Sequence, residues 1–264
     1  MSVVGISMVY NEEDIIEYVV QHMQNECDEV IIADNRSTDG TREILEILAE
    51  ICAPRLHIFD EPRFAYEQVR TMNWLAEMAR EEYGATWIVP FDADEWWYSP
   101  AWPIKDVLPA LDTLQVRAGG YEFHPQPSDD PSEHNPFRRV VWRREITPNF
   151  KVAFRPKSGK VLSFGNHFVY ESDAWEEVSK NTLFIRHVPY RSLEQAMAKS
   201  RHGKAALEAT GQGPTLGWHW RHMGGWTDAE FAAWWETWLD PTGLVKDPLQ
   251  SASDKPNVKG RLHS

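Results

Sequence analysis

The chain has 264 residues, 42% hydrophobic and 12% aromatic side chains and a net charge of −13, which fits a folded globular protein and excludes a disordered or fibrous one. No apolar run approaches the roughly 20 residues that span a bilayer, MSVVGISMVYNEED at the start has neither a basic leader nor a cleavage site, and Cys27 and Cys52 are too few for a disulfide framework; a cytoplasmic protein is expected. Residues 1–100 hold 21 acids, 6 bases and no lysine, a poor match to a partner such as duplex DNA or RNA.

In chain order, residues 3–9 (VVGISMV) form a continuous apolar run, as in a strand buried on both faces. Asn11 stands where a helix N-cap is expected, with Glu12, Glu13 and Asp14 in the first turn and Ile15, Ile16, Val19, Val20 and Met23 at helical spacing. A second strand covers 29–33, a turn-rich loop DNRSTDGT follows, and a helix runs from about Thr41 to Ile51. Then come a strand at Leu56–Phe59, a helix at Tyr66–Tyr83 and a strand at Thr86–Phe91, where Pro90 is awkward because it cannot donate to a ladder. Four strands alternating with three helices predict an α/β fold, a Rossmann-like doubly wound, mostly parallel sheet.

Beyond residue 100 short β-type runs recur near 117–123, 138–144, 151–155, 160–163, 167–171 and 183–188, with a Pro/Ser/Asp-rich loop at 125–136. Helices are expected at about 191–209 and 227–238 and a frayed polar tail at 246–264. The organisation predicted is one continuous domain with a nucleotide-binding half at 1–100 and a mixed β/α acceptor half at 101–245, followed by the tail. Arg138, Arg139, Arg143, Arg144, Lys151, Arg155, Lys157 and Lys160 face the single acid Glu145 in one stretch, either a solvated hairpin or a patch for a phosphorylated ligand. His219 and His222 lack the further ligands of a zinc site. The tryptophan-rich helix DAEFAAWWETWL lacks a basic face for a membrane surface, so it is expected to pack on the sheet.

In open α/β sheets ligands bind outside the carboxyl ends of the strands. Those ends are acidic here: Tyr10-Asn11-Glu12, Asp34-Asn35 and Asp92-Ala93-Asp94-Glu95. In an extended segment Asp92 and Asp94 share a face, and such hard oxygen donors suit Mg²⁺ or Mn²⁺ bridging nucleotide phosphates. The alternative is a plain acidic turn. Trp96, Trp97, Tyr98 and Trp102 either offer flat apolar platforms to a ligand or pack behind the site.

Taken in order, MVYNEED, ADNRSTDGT and FDADEWW resemble family 2-type glycosyltransferases of the GT-A fold, with a family 92-like branch that also shows the spacing matched by His187, Ser192 and Lys199. The resemblance is strong over 3–98 and weak over about 150–205. It implies metal-dependent transfer of a sugar from a nucleotide sugar, most simply a UDP-sugar, to an acceptor hydroxyl of a glycan, protein or small molecule, with inversion. Tyr10 and Glu12 would line the base and ribose pocket, and Asp34 would accept the uracil ring N–H. Asp92 would reach the ribose or the metal's water, and Asp94 would ligate the metal. Arg70 would lie near the diphosphate or brace Asp92. His187 would be a late metal ligand, its neutral imidazole favouring Mn²⁺ over Mg²⁺. His167 would be the catalytic base, a second ligand or a donor to the acceptor. Glu171 and Asp173 lie near the expected base position without matching the family's Glu-Asp pair. A nucleotidyltransferase, or a transferase acting on modified bases in nucleic acid, is the alternative, although NEED is the opposite of a basic triphosphate loop.

Overall fold

The computed structural model describes residues 1–145, 150–157, 159, 161–170, 182–211, 213 and 216–249. Strand β1 (Ser2–Val9) leads to α1 (Ile16–Glu26), β2 (Glu29–Asp34), α2 (Thr41–Cys52), β3 (Leu56–Asp60), α3 (Gln68–Glu81) and β4 (Ala85–Pro90). These strands pair in parallel in the order β3-β2-β1-β4. Side chains alternate across the pleat. Val3, Val30, Ile32, Trp87 and Val89 pack with α1 and α2 on one face, while Val4, Ile6, Ile31 and Ile88 pack with Met72, Leu75 and Ala79 of α3 on the other. The doubly wound half is thus present as expected. Pro90 costs the sheet little, because the next residue's N–H, that of Phe91, donates to Ile6 at 3.0 Å.

The second half is more antiparallel than a doubly wound sheet. It comprises β5 (Glu95–Tyr98), α4 (Ile104–Val107), β6 (Gln115–His124), α5 (Pro136–Arg139), β7 (Trp142–Arg143), β8 (Phe150–Phe154), β9 (Val161–Leu162), β10 (Val169–Tyr170) and β11 (Phe184–His187), then α6 (Leu193–Glu208), α7 (Trp218–Met223), α8 (Asp228–Trp238) and β12 (Val245–Lys246). Strand β8 lies antiparallel between β4 and β6, and β11 runs parallel to β6 and antiparallel to β5. One sheet therefore continues across residue 100, giving a mixed α/β architecture. Strand β5 was not anticipated, because EWWY continues an acidic motif and carries no turn signal before it. The run at 138–144 divides into α5, capped by the Asn135 side chain, and the two-residue β7.

Two local expectations change. Asn11 does not cap α1: it adopts φ 49°, a region asparagine tolerates, and its Oδ1 accepts the Thr38 N–H at 2.7 Å. Of the expected tail, residues 246–249 are described and begin in a paired strand, while 250–264 lie outside the described residues. Strand β12 pairs with β7, and Asp247 accepts from Arg143 Nε at 2.6 Å and, through its carbonyl, from buried Arg186 at 2.9 Å.

Candidate active site

The acidic ends of β1, β2 and β4 lie along one edge of the sheet, and the second half folds over them. Strand register does the positioning. His187, last residue of β11, pairs with Glu95, first residue of β5, and the Val188 N–H donates to the Asp94 carbonyl at 2.9 Å. That fixes His187 Nε2 at 3.5 Å from Asp94 Oδ1. Ser192 then caps α6 by accepting the Gln195 N–H at 3.1 Å. Two turns later Lys199 returns to the same edge, with Nζ 2.5 Å from Asp94 Oδ2 and 3.1 Å from Glu12 Oε1. The spacing of His187, Ser192 and Lys199 thus has a physical reason: strand end, helix cap and inward-facing cation.

Asp94 is buried, with 4% of its surface exposed. Burial alone would raise its pKa, but Lys199 and His187 beside it reverse the effect and hold the carboxyl well below the usual range. Burial in turn lowers the pKa of His187, which the Asp94, Glu95 and Glu122 charges more than offset, leaving it raised. Glu12 is equally enclosed: Arg191 Nη2 donates to Glu12 Oε2 at 2.5 Å, and the same guanidinium forks onto Asp14 at 2.6 and 2.8 Å. Glu12 therefore anchors α6 against the β1 end instead of standing free toward a ribose.

Asp92 has a different environment. Its side chain is 36% exposed, open to a ligand, and its Oδ2 accepts from Lys151 Nζ at 2.5 Å. The Asp92 N–H donates to Glu95 Oε2 at 3.1 Å, and the second oxygen of Glu95 lies 3.3 Å from Lys151 Nζ. Burial pushes the Glu95 carboxyl up to about 6 even against the lowering effect of Lys151. Lys151 is thus the cation that braces Asp92, the role considered for Arg70. Arg70 has a 65% exposed side chain, pairs with Glu67 at 3.1 Å and lines a cleft of about 510 Å³ with Tyr66, Asn73, Val161, Phe164 and Leu216.

His167 reaches the cluster through its neighbour, as Asn166 Nδ2 donates to Asp92 Oδ1 at 3.4 Å. His167 Nδ1 lies 2.5 Å from the Phe150 carbonyl, which can only accept. The neutral ring therefore keeps its lone pair on Nε2. Burial lowers the pKa of His167, as does the Lys151 charge, and so favours that neutral form. Gly165, at φ 70°, makes room for the ring: a Cβ there would fall 2.7 Å from His167 Nε2. Glu171 and Asp173 lie outside the described residues.

On the β2 side, Asp34 is buried and Oδ1 accepts the Ser37 N–H at 3.2 Å. Tyr10 stacks on His202 of α6, ring centroids 3.6 Å apart, and Phe64 meets the same imidazole edge-on. The aromatic group after Asp94 is mostly packing: Trp97 is fully buried, Trp96 stacks on His22 at 3.6 Å, and Tyr98 packs near Phe184, while Trp102 is exposed. His219 and His222 lie against Trp220 and Trp226, and Trp234 and Trp238 of α8 meet Tyr190.

Sequence reading missed Arg191, Lys151 and Asp14. Lys151 was available in principle, being a lone charge inside the apolar strand FKVAF, but the basic run around it suggested a surface. That run does not form one patch. Lys151 is interior, Arg143 binds Asp247, and Arg155 donates to the Thr113 and Leu111 carbonyls, each at 3.0 Å.

Among the described residues no three His, Cys, Asp or Glu side chains converge on a point where an ion would sit, and no helix is long and apolar enough to cross a membrane. No curated protein matches the sequence. Similar solved structures include the mannosyltransferase PcManGT from Pyrobaculum calidifontis in complex with GDP-Man and Mn²⁺, at 16% identity over 90% of this chain and 73% of that one, TM-score 0.40. S. aureus TarS 1–349 in complex with UDP is 12% identical over 78% of this chain and 65% of that one, TM-score 0.41. GalNAc-T7 with UDP, GalNAc and Mn²⁺ is 11% identical over 88% and 56%, TM-score 0.42. The model of the family described as "Glycosyl transferase family 2" matches residues 6–170, more than half of the sequence, and the chain belongs to that family.

Proposed function

We propose that this glycosyltransferase moves a sugar from a nucleotide sugar, a UDP-sugar, to an acceptor hydroxyl with inversion at the anomeric carbon, using a divalent metal. The observation that carries the reading is the pairing of Asp94 Oδ1 with His187 Nε2 at 3.5 Å, beside the partly exposed Asp92. Neighbouring ligands of one octahedral ion with bonds of about 2.0–2.2 Å stand about 2.8–3.1 Å apart, so a closing movement of about 0.5 Å would bring these two donors onto one ion. The residues therefore fit Mn²⁺ or Mg²⁺, with Asp94 and His187 as protein donors and the remaining positions left to phosphate and water. Bound there, the ion would neutralise charge on the departing diphosphate as a Lewis acid.

The chain's own residues do the rest. In this reading Asp34 accepts a nucleobase N–H, Tyr10 lines the base pocket, and the partly exposed Asp92, held by Lys151 and Asn166, turns toward the ribose. His167 is our choice for the group that takes the acceptor proton, since Nε2 keeps a lone pair while Phe150 fixes the ring; Glu171 is the second choice. Such proton removal contributes about 10²–10⁴-fold, and alignment of the hydroxyl with the anomeric carbon supplies much of the remainder. The acceptor belongs to the glycan, protein or small-molecule hydroxyls, and we place the protein in the cytoplasm on the strength of its free cysteines.

A donor screen tests the reading. Incubation with UDP-, GDP- and dTDP-sugars, with and without Mn²⁺, should release nucleoside diphosphate fastest from a UDP-sugar and only with metal. Metal-independent release, or none from any donor, overturns it.

A further inference from the structure

The ammonium of Lys199 lies between two carboxylates, 2.5 Å from Asp94 Oδ2 and 3.1 Å from Glu12 Oε1. Glu12 gives its other oxygen to Arg191, which also holds Asp14. Asp94 gives its other oxygen to His187. Every carboxylate of this cluster therefore already faces a cation. A divalent ion brought to Asp94 and His187 alone would stand a few ångströms from Lys199 in an enclosed site, where like charges repel strongly. A diphosphate reverses the balance, because its oxygens can lie between the ion and the ammonium. Lys199 can take part directly: an ammonium has three N–H donors, two are committed here, and the side chain remains 22% exposed.

We propose that Lys199 makes metal binding at Asp94 conditional on a nucleoside diphosphate, opposing the lone ion and donating to a phosphate oxygen when both are bound. This rests on the reading of Asp94 and His187 as metal donors. It assigns the third residue of the His187, Ser192 and Lys199 spacing a task of its own. Linkage makes the effect reciprocal: whatever diphosphate adds to metal affinity, metal adds to diphosphate affinity.

The test is calorimetric titration of Mn²⁺ into wild type, Lys199→Met and Lys199→Arg, first alone and then with saturating UDP or GDP. Without the opposing cation the Asp94–His187 site should bind bare Mn²⁺ roughly tenfold more tightly in Lys199→Met, and most of the gain that nucleotide gives wild type should vanish. Lys199→Arg keeps the charge and should resemble wild type in bare Mn²⁺. Should Lys199→Met fail to fold by circular dichroism, Lys199→Gln is read in the same way. Unchanged bare affinity together with unchanged nucleotide linkage overturns the inference and leaves the metal site standing. Absence of Mn²⁺ binding by wild type with either nucleotide overturns the metal site and the inference together.

Discussion

Lys151 Nζ stands 2.5 Å from Asp92 Oδ2, so the strand that joins the parallel and antiparallel parts of the sheet also carries the counter-ion of the site. The same ammonium serves Glu95, whose side chain is 4% exposed. Lys151→Met would take the cation from that buried group. Its carboxyl, already pushed up to about 6, would then take up a proton near neutrality, so the loss falls at the lower end of the about 3–5 kcal/mol of a broken buried pair. Urea denaturation at pH 7 should show a loss of about 3 kcal/mol, mostly recovered in Lys151→Met/Glu95→Gln. An unchanged midpoint in the single variant would contradict the pairing.

Glu61 supports the β2 end from beneath. Its backbone carbonyl accepts from Asn35 at 3.0 Å and its carboxylate accepts from Thr71 Oγ1 at 2.6 Å and from Arg63. Burial raises its pKa, but the Thr71 and Arg63 hydrogen bonds outweigh that and leave it lowered. A carboxyl whose folded pKa is depressed stabilises above its unfolded value and loses that contribution as pH falls through the folded one. Wild type should therefore exceed Glu61→Gln in stability by about 1.5 kcal/mol at pH 7, with the gap closing below about pH 4. A gap constant from pH 7 to pH 3 would show that the carboxylate charge plays no part.

Arg191 joins Glu12 and Asp14 through a planar fork. Lysine supplies charge but not two parallel donors. Arg191→Lys should lower stability by about 2 kcal/mol, measured by chemical denaturation, and weaken nucleotide binding because α6 loses its tie to the β1 end. Full retention of both would reduce Arg191 to an incidental contact.

The two histidines should fail differently. His187→Ala is expected to weaken Mn²⁺-dependent nucleotide binding. His167→Ala should leave that binding near wild type while transfer to the acceptor falls about 10²-fold or more. Calorimetry paired with steady-state rates separates them, and a binding defect confined to His167→Ala would exchange their roles.

The parallel half was legible because its signals are local. Apolar runs such as VVGISMV and EVIIA sit between amphipathic helices, and acids gather at the strand ends. The Asp94–His187 approach was legible only through family spacing, since a register that pairs His187 with Glu95, 92 residues apart, leaves no periodic trace. Arg191 was not legible, and Lys151 showed only as a lone charge in the apolar strand FKVAF. Their partners are 179 and 59 residues away, and a buried cation reads in sequence like a solvated one. Asn11 misled for the opposite reason: its capping chemistry is real, but it is spent on Thr38 in the neighbouring loop instead of on its own helix.

The central claim is that Asp94 holds a divalent ion beneath a nucleoside diphosphate, and titration of UDP into wild type and Asp94→Asn, each with and without Mn²⁺, tests it most directly. The account predicts that Mn²⁺ tightens UDP binding to wild type at least about tenfold, a gain of about 1.4 kcal/mol, and that Asp94→Asn keeps its circular dichroism spectrum while losing the metal dependence. Undiminished Mn²⁺-dependent binding in a folded Asp94→Asn would contradict it.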